Sequence, residues 1–144
     1  MGQKCGLIYD NYYEKHDTGL GHPESPLRAT HVYKGLLLEN LIQSSPVLQP
    51  EPIEEIHLRL AHDPKYLAQV KRDIEEGLKT LTTGDTSVSQ DSWSVAMRAS
   101  GSACLAVKEL FSGKLTRAFC ASRPPGHHAT PAKGMGFCLS LIHI

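Results

Sequence analysis

One stretch constrains this chain more than any other, Arg123-Pro124-Pro125-Gly126-His127-His128-Ala129. Before it lies Arg117-Ala118-Phe119-Cys120-Ala121-Ser122, a short apolar run that reads as a buried strand. Pro124 and Pro125 stop that strand, because neither can donate a hydrogen bond to a sheet ladder. Gly126 lets the backbone turn, and the imidazoles of His127 and His128 follow at the strand's carboxyl end. Ligands bind at that end of open α/β sheets. Histidine is also the side chain whose ordinary pKa suits proton transfer near neutral pH. An isolated His-His pair is weak evidence, since a polar turn after a strand needs no chemistry. Here the strand before, the Pro-Pro-Gly break and the glycine-rich segment 134–138 after it supply context for an acid–base centre.

The remaining composition narrows the classes. Fifteen Lys and Arg balance fifteen Asp and Glu among 144 residues. That balance argues against a non-specific nucleic-acid binder, which carries a basic bias. No apolar run approaches the length of a membrane-spanning helix, and the start lacks the apolar core of a signal peptide. Cys5, Cys104, Cys120 and Cys138 have no paired spacing. Three of them sit in apolar segments, which predicts buried free thiols and a reducing, intracellular location, cytoplasmic or nuclear. The length suits one small domain, with no repeat or linker to divide it.

Taken in order, residues 5–9 predict a first buried strand, and 10–24 a polar loop broken by Gly19, Gly21 and Pro23. Ser25 as N-cap and Pro26 at the first position open a helix over 27–42. Val32, Leu36, Leu37, Leu38, Leu41 and Ile42 recur on it at helical spacing, so it should face the core. Residues 44–52 read as a proline-punctuated connection and 56–60 as a short strand. Asp63 caps a helix that begins at Pro64 and ends near Gly77. The polar segment 81–91 is a candidate functional loop. A helix over 92–111 carries Ala96, Ala99, Ala103 and Ala106, small residues that allow close approach to a sheet. Trp93 near its start reads as a packing anchor. The strands at 5–9 and 117–121 should be parallel, because helices intervene.

Arg123 to Ala129, followed by Gly134-Met135-Gly136-Phe137-Cys138, resembles the histone deacetylase superfamily, which includes acetoin-utilisation proteins and acetylpolyamine amidohydrolases. Gly21-His22-Pro23-Glu24-Ser25-Pro26-Leu27-Arg28, with His16 before it, is similar to a His-Pro-Glu-x-Pro-x-Arg segment of bacterial and class II deacetylases. His62 and Tyr66 extend the likeness, which runs from Gly6 to Cys138. It implies an α/β fold, an arginase-like open parallel sheet flanked by helices, of which this chain supplies the amino-terminal half only. It also implies a zinc-dependent amide hydrolase acting on acetylated lysine in protein, or on an acetylated small amine, with no direct role for nucleic acid or membrane.

By the same resemblance His128 is the general base and later the general acid, and His127 its electrostatic partner. Gly136 and Phe137 match acyl-tunnel positions, with simple core packing the other reading for Phe137. Asp85 matches a residue that holds the substrate backbone; an ordinary Asx turn is the alternative. Arg28 makes either an ion pair on a solvated face or the border of an inner pocket. The zinc ligands are expected in a carboxyl-terminal part that this sequence lacks. After Cys138 the family pattern gives way to Leu139-Ser140-Leu141-Ile142-His143-Ile144, so 1–138 reads as the amino-terminal part of a catalytic domain and 139–144 as an off-family tail. On that reading the chain by itself is inactive and no residue in it ligates metal. Two other functions stay open, an acetylpolyamine amidohydrolase and a non-catalytic deacetylase-like binding module.

Overall fold

The computed structural model describes residues 4–139. Cys5–Ile8 forms strand β1, whose Leu7 and Ile8 are buried. Continuous burial of successive residues marks a strand covered on both faces, as in parallel sheets. Val47–Leu48 (β2) and Arg117–Cys120 (β3) flank it, both parallel, in the order β2-β1-β3. The register pairs Leu7 with Val47 on one side and with Phe119 on the other. Parallel pairing follows from the helices between the strands. These are α1 (Arg28–Leu38), α2 (Glu55–Leu58), α3 (Pro64–Glu75) and α4 (Ser92–Phe111). A 3₁₀ turn, Asn11–Lys15, follows β1 and is capped by the Asp10 carboxylate, which accepts from the Tyr12 amide.

α4 divides the core. Its Val95 packs with Leu7, Tyr13, Ala29 and Ala121 in one apolar cluster. Ala96 and Met97 pack with Tyr66, Val70, Leu81 and Val88 in the other, so α3 is held on the far side of α4 from β1. The small-residue composition of α4 has a measurable consequence at Gly101. A Cβ there would lie 1.8 Å from the Glu51 carbonyl oxygen, which is backbone and has no rotamer to yield. Gly101→Ala should therefore destabilise the fold by about 1–3 kcal/mol through overpacking. That outweighs the gain of about 1 kcal/mol in helix propensity. A denaturation midpoint equal to or above that of the parent chain would contradict this close approach.

Three expectations need correction. The segment 56–60 is not a strand, since α2 occupies it; Glu54 stands extended as its N-cap and the first turn is acidic. The strand lies instead at Val47–Leu48, two residues whose pairing with β1 no local pattern reveals. Helix α1 is shorter than 27–42 and turns fewer of its leucines inward. It buries Ala29 and Thr30, and Leu36 packs on the core cluster, while Leu37, Leu38 and Leu41 are exposed. Its N-cap is Leu27, whose amide donates to Ser25 Oγ. Finally, all four cysteines are free, yet only Cys138 is buried. The helices over 64–75 and 92–111 start where the caps and periodicity predict. Trp93 is half-buried against the core, with Lys71 Nζ 4.8 Å from the centre of its ring.

Candidate active site

β3 ends at Cys120, and the Ala121 amide still donates to Ile8 O at 3.0 Å. Arg123 then turns inward and is completely buried, and its peptide bond to Pro124 is cis. The chain reverses through Pro124-Pro125-Gly126, where the Ala129 amide donates to Gly126 O. This turn presents His127 and His128 to solvent at the carboxyl end of the sheet. Their rings sit 4.2 Å apart between centroids and are inclined at 54°. The His128 amide donates to Cys138 Sγ at 3.3 Å, which ties the histidine turn to the following segment. Burial pushes the Cys138 thiol above its ordinary pKa, so it serves as a protonated anchor.

The segment after the histidines folds back as a tight turn, with the Cys138 amide donating to Met135 O. Gly136 and Phe137 adopt positive φ of 59° and 66°. A Cβ on Gly136 would lie 3.0 Å from the His128 ring, so glycine is needed there for the imidazole to occupy its place. Asp85, from the loop before α4, accepts the Gly136 amide at 2.8 Å. The four positions Asp85, His128, Gly136 and Phe137 are thus brought into one cluster from two loops, with His127 beside them. Phe137 is exposed rather than packed in the core, and the His22 ring meets it edge-on at 4.5 Å. His22 belongs to the family-like segment 21–28, but no local signal sets its ring against Phe137.

Beneath this surface lies a buried polar framework. The Arg123 guanidinium forks onto the Glu24 carboxylate and caps two carbonyls, those of Tyr13 and His16. Burial alone would raise the Glu24 pKa, but the hydrogen bonds and charge of Arg123, with Arg28 behind it, hold it below the usual value. His16 is buried next to them and its pKa is pushed down to about 4, chiefly by burial and then by the Arg123 charge. Glu24, His16 and Ser92 follow one another in the order of a catalytic triad. Ser92 is fully buried, however, and its Oγ bonds His16 Nδ1 at 2.7 Å and accepts the Ser89 amide. That line ties the loop to the start of α4 and reaches no substrate.

Arg28 does both things considered for it. It pairs with Glu24, Nε to Oε1 at 3.2 Å, and it borders a cavity of about 530 Å³ beside His127, shared with Ser100, Cys120, Ser122 and Pro125. His62 and Tyr66 are structural: a His62 ring nitrogen lies 3.4 Å from Pro131 O, and the Tyr66 hydroxyl donates to Leu139 O at 2.6 Å. They fasten α3 to the segment that carries the histidines. Among the described residues, no three His, Cys, Asp or Glu side chains gather as a metal ion requires. Cys138, the sulfur nearest the pair in the fold, is already an acceptor for backbone. The residues here do not by themselves make a zinc site.

Residues 22–140 match the histone deacetylase domain family. The chain belongs to that family. The matched span contains Glu24, Asp85, the His127-His128 turn and the Gly136-Phe137 turn. Among relatives, Histone deacetylase 5 of Arabidopsis thaliana is 34% identical over 145 residues, covering 95% of this chain and 22% of that protein. A histone deacetylase-like amidohydrolase of Pseudomonas aeruginosa is 32% identical over 123 residues, covering 82% of this chain and 31% of that protein. The solved HDA15 HD domain superposes with a TM-score of 0.86 at 24% identity, over 96% of this chain and 41% of that one. The deacetylase fold is shared, as an arginase-like parallel α/β arrangement. This chain spans about a fifth of the Arabidopsis relative and under half of the solved domain.

Proposed function

We propose that the whole protein hydrolyses acetyl-lysine-type amides inside the cell, using zinc held by side chains outside the described residues. The observation that carries this reading is the exposed imidazole pair, seated on a turn at the carboxyl end of β3 with the His128 ring against Gly136. His128 takes the proton of the attacking water and later delivers it to the leaving amine. His127, whose ring is 4.2 Å away, sets the charge around it. Phe137, exposed at its turn and backed edge-on by the His22 ring, offers its free face to the aliphatic part of a lysine chain. Asp85 is engaged with the Gly136 amide through one oxygen, which leaves the other for a substrate amide.

The test is turnover by the whole protein of an acetyl-lysine peptide and of an acetylated polyamine, before and after zinc is removed by chelation. Peptide turnover lost with zinc and restored by it is the expected result. Preference for the polyamine would replace the substrate class, and no turnover of either with zinc bound would favour a binding module. The 144-residue chain alone is expected to give no turnover in the same assay.

A further inference from the structure

Arg123 has no exposed surface, and nearly all of its donors are used. Nε reaches both Glu24 oxygens at 3.1 and 3.2 Å, and Nη2 reaches Oε2 at 2.5 Å. Nη1 donates to Tyr13 O at 2.5 Å and His16 O at 2.7 Å. Glu24, itself buried, also accepts from Arg28, whose Nη2 donates to Ser122 O at 3.3 Å. A buried ion pair is weak evidence for stability, because desolvation offsets most of the Coulomb gain. A planar two-bond fork, by contrast, fixes direction as well as distance.

What the fork fixes follows from the covalent chain. Only Pro124, Pro125 and Gly126 separate Arg123 from His127. The prolines have no free φ, so the torsional slack between the guanidinium anchor and the imidazoles is concentrated at Gly126. On the other side, the Glu24 amide donates to His22 Nδ1 at 3.0 Å, and His22 is the ring that meets Phe137. Glu24 therefore meets the site twice, its carboxylate through Arg123 and its backbone amide through His22. We infer that Glu24 is a positioning residue: its carboxylate, through the Arg123 fork, fixes the His127-His128 turn. The inference rests on the role of His128 proposed above.

Glu24→Asp tests it, because this change keeps the charge and withdraws the carboxylate by one carbon. In the whole protein kcat per folded molecule should fall by about 10²-fold, as expected when a catalytic group is displaced by ~1 Å, with KM changed far less. A role in packing alone would lower the unfolding temperature and leave kcat per folded molecule at the parent value, and that result overturns the inference. An arm independent of activity uses the 144-residue chain. Imidazole NMR signals of His127 and His128, assigned with His127→Gln and His128→Gln, should shift in folded Glu24→Asp and in folded Arg123→Lys. Unchanged signals in either folded variant also overturn it. If instead the signals shift but His128→Ala keeps full turnover, the positioning stands and the acid–base assignment fails.

Discussion

If the whole protein acts as proposed, His128→Ala is expected to remove most amide hydrolysis while zinc content stays at the parent level. The size of the effect follows from the role. A positioned acid–base residue contributes about 10²–10⁴-fold in rate, and more when it works as part of a unit. Zinc is expected to be spared because the proposed role of His128 is to move protons and not to ligate the metal. The substitution also leaves the turn in place, since His128 is anchored through its backbone amide on Cys138 Sγ and its side chain is exposed. His127→Ala should slow the reaction by less, because it acts on the field around the reacting centre. The measurements are turnover of an acetyl-lysine peptide and zinc per chain for both variants. Near-normal turnover in His128→Ala, or a defect explained by lost zinc, would remove His128 from the acid–base role.

Much of this site was legible because its signals are local. Pro124 and Pro125 end a strand wherever they fall, and a glycine-rich return after two histidines names its own turn. The helix caps at Asp63 and Pro64 are local in the same way, and α3 begins there. What the sequence hid depends on partners far along the chain. β2 is two residues long and exists only because Leu7 and Tyr9 donate to Pro46 O and Leu48 O. Leu38 at the end of α1 and Leu41 just beyond it keep helical period although both are largely exposed. Glu24 lies in the family-like segment 21–28 and Arg123 opens the histidine motif, yet nothing local in either stretch says that the two meet. Their pairing joins positions 99 residues apart. A charged residue locked between an apolar strand and two prolines was the one available hint that Arg123 turns inward.

Acid should unfold this chain earlier than its net neutrality suggests, and the buried framework under the site is the cause. His16 has no exposed surface, and its pKa is pushed down from 6.5 to about 4, by burial first and the Arg123 charge second. Between those values the unfolded chain binds a proton that the folded chain refuses, so stability falls as pH drops from about 6.5 towards 4. The whole window corresponds to about 3 kcal/mol, a large share of a small domain's stability. His62, buried and also lowered, contributes with the same sign. Glu24 continues the trend below its ordinary 4.5, because its folded pKa is depressed and protonation would break the Arg123 fork. Urea unfolding of the purified chain from pH 7.5 to about 3 should show a midpoint that is level near pH 7.5, falls from about 6.5 to 4 and goes on falling below that. His16→Asn, which can still bond Ser92, should flatten the limb between about 6.5 and 4 and leave the lower limb intact. A midpoint constant from pH 7.5 to 4.5 would mean that His16 accepts its proton inside the folded protein, and that the framework around Arg123 opens to water.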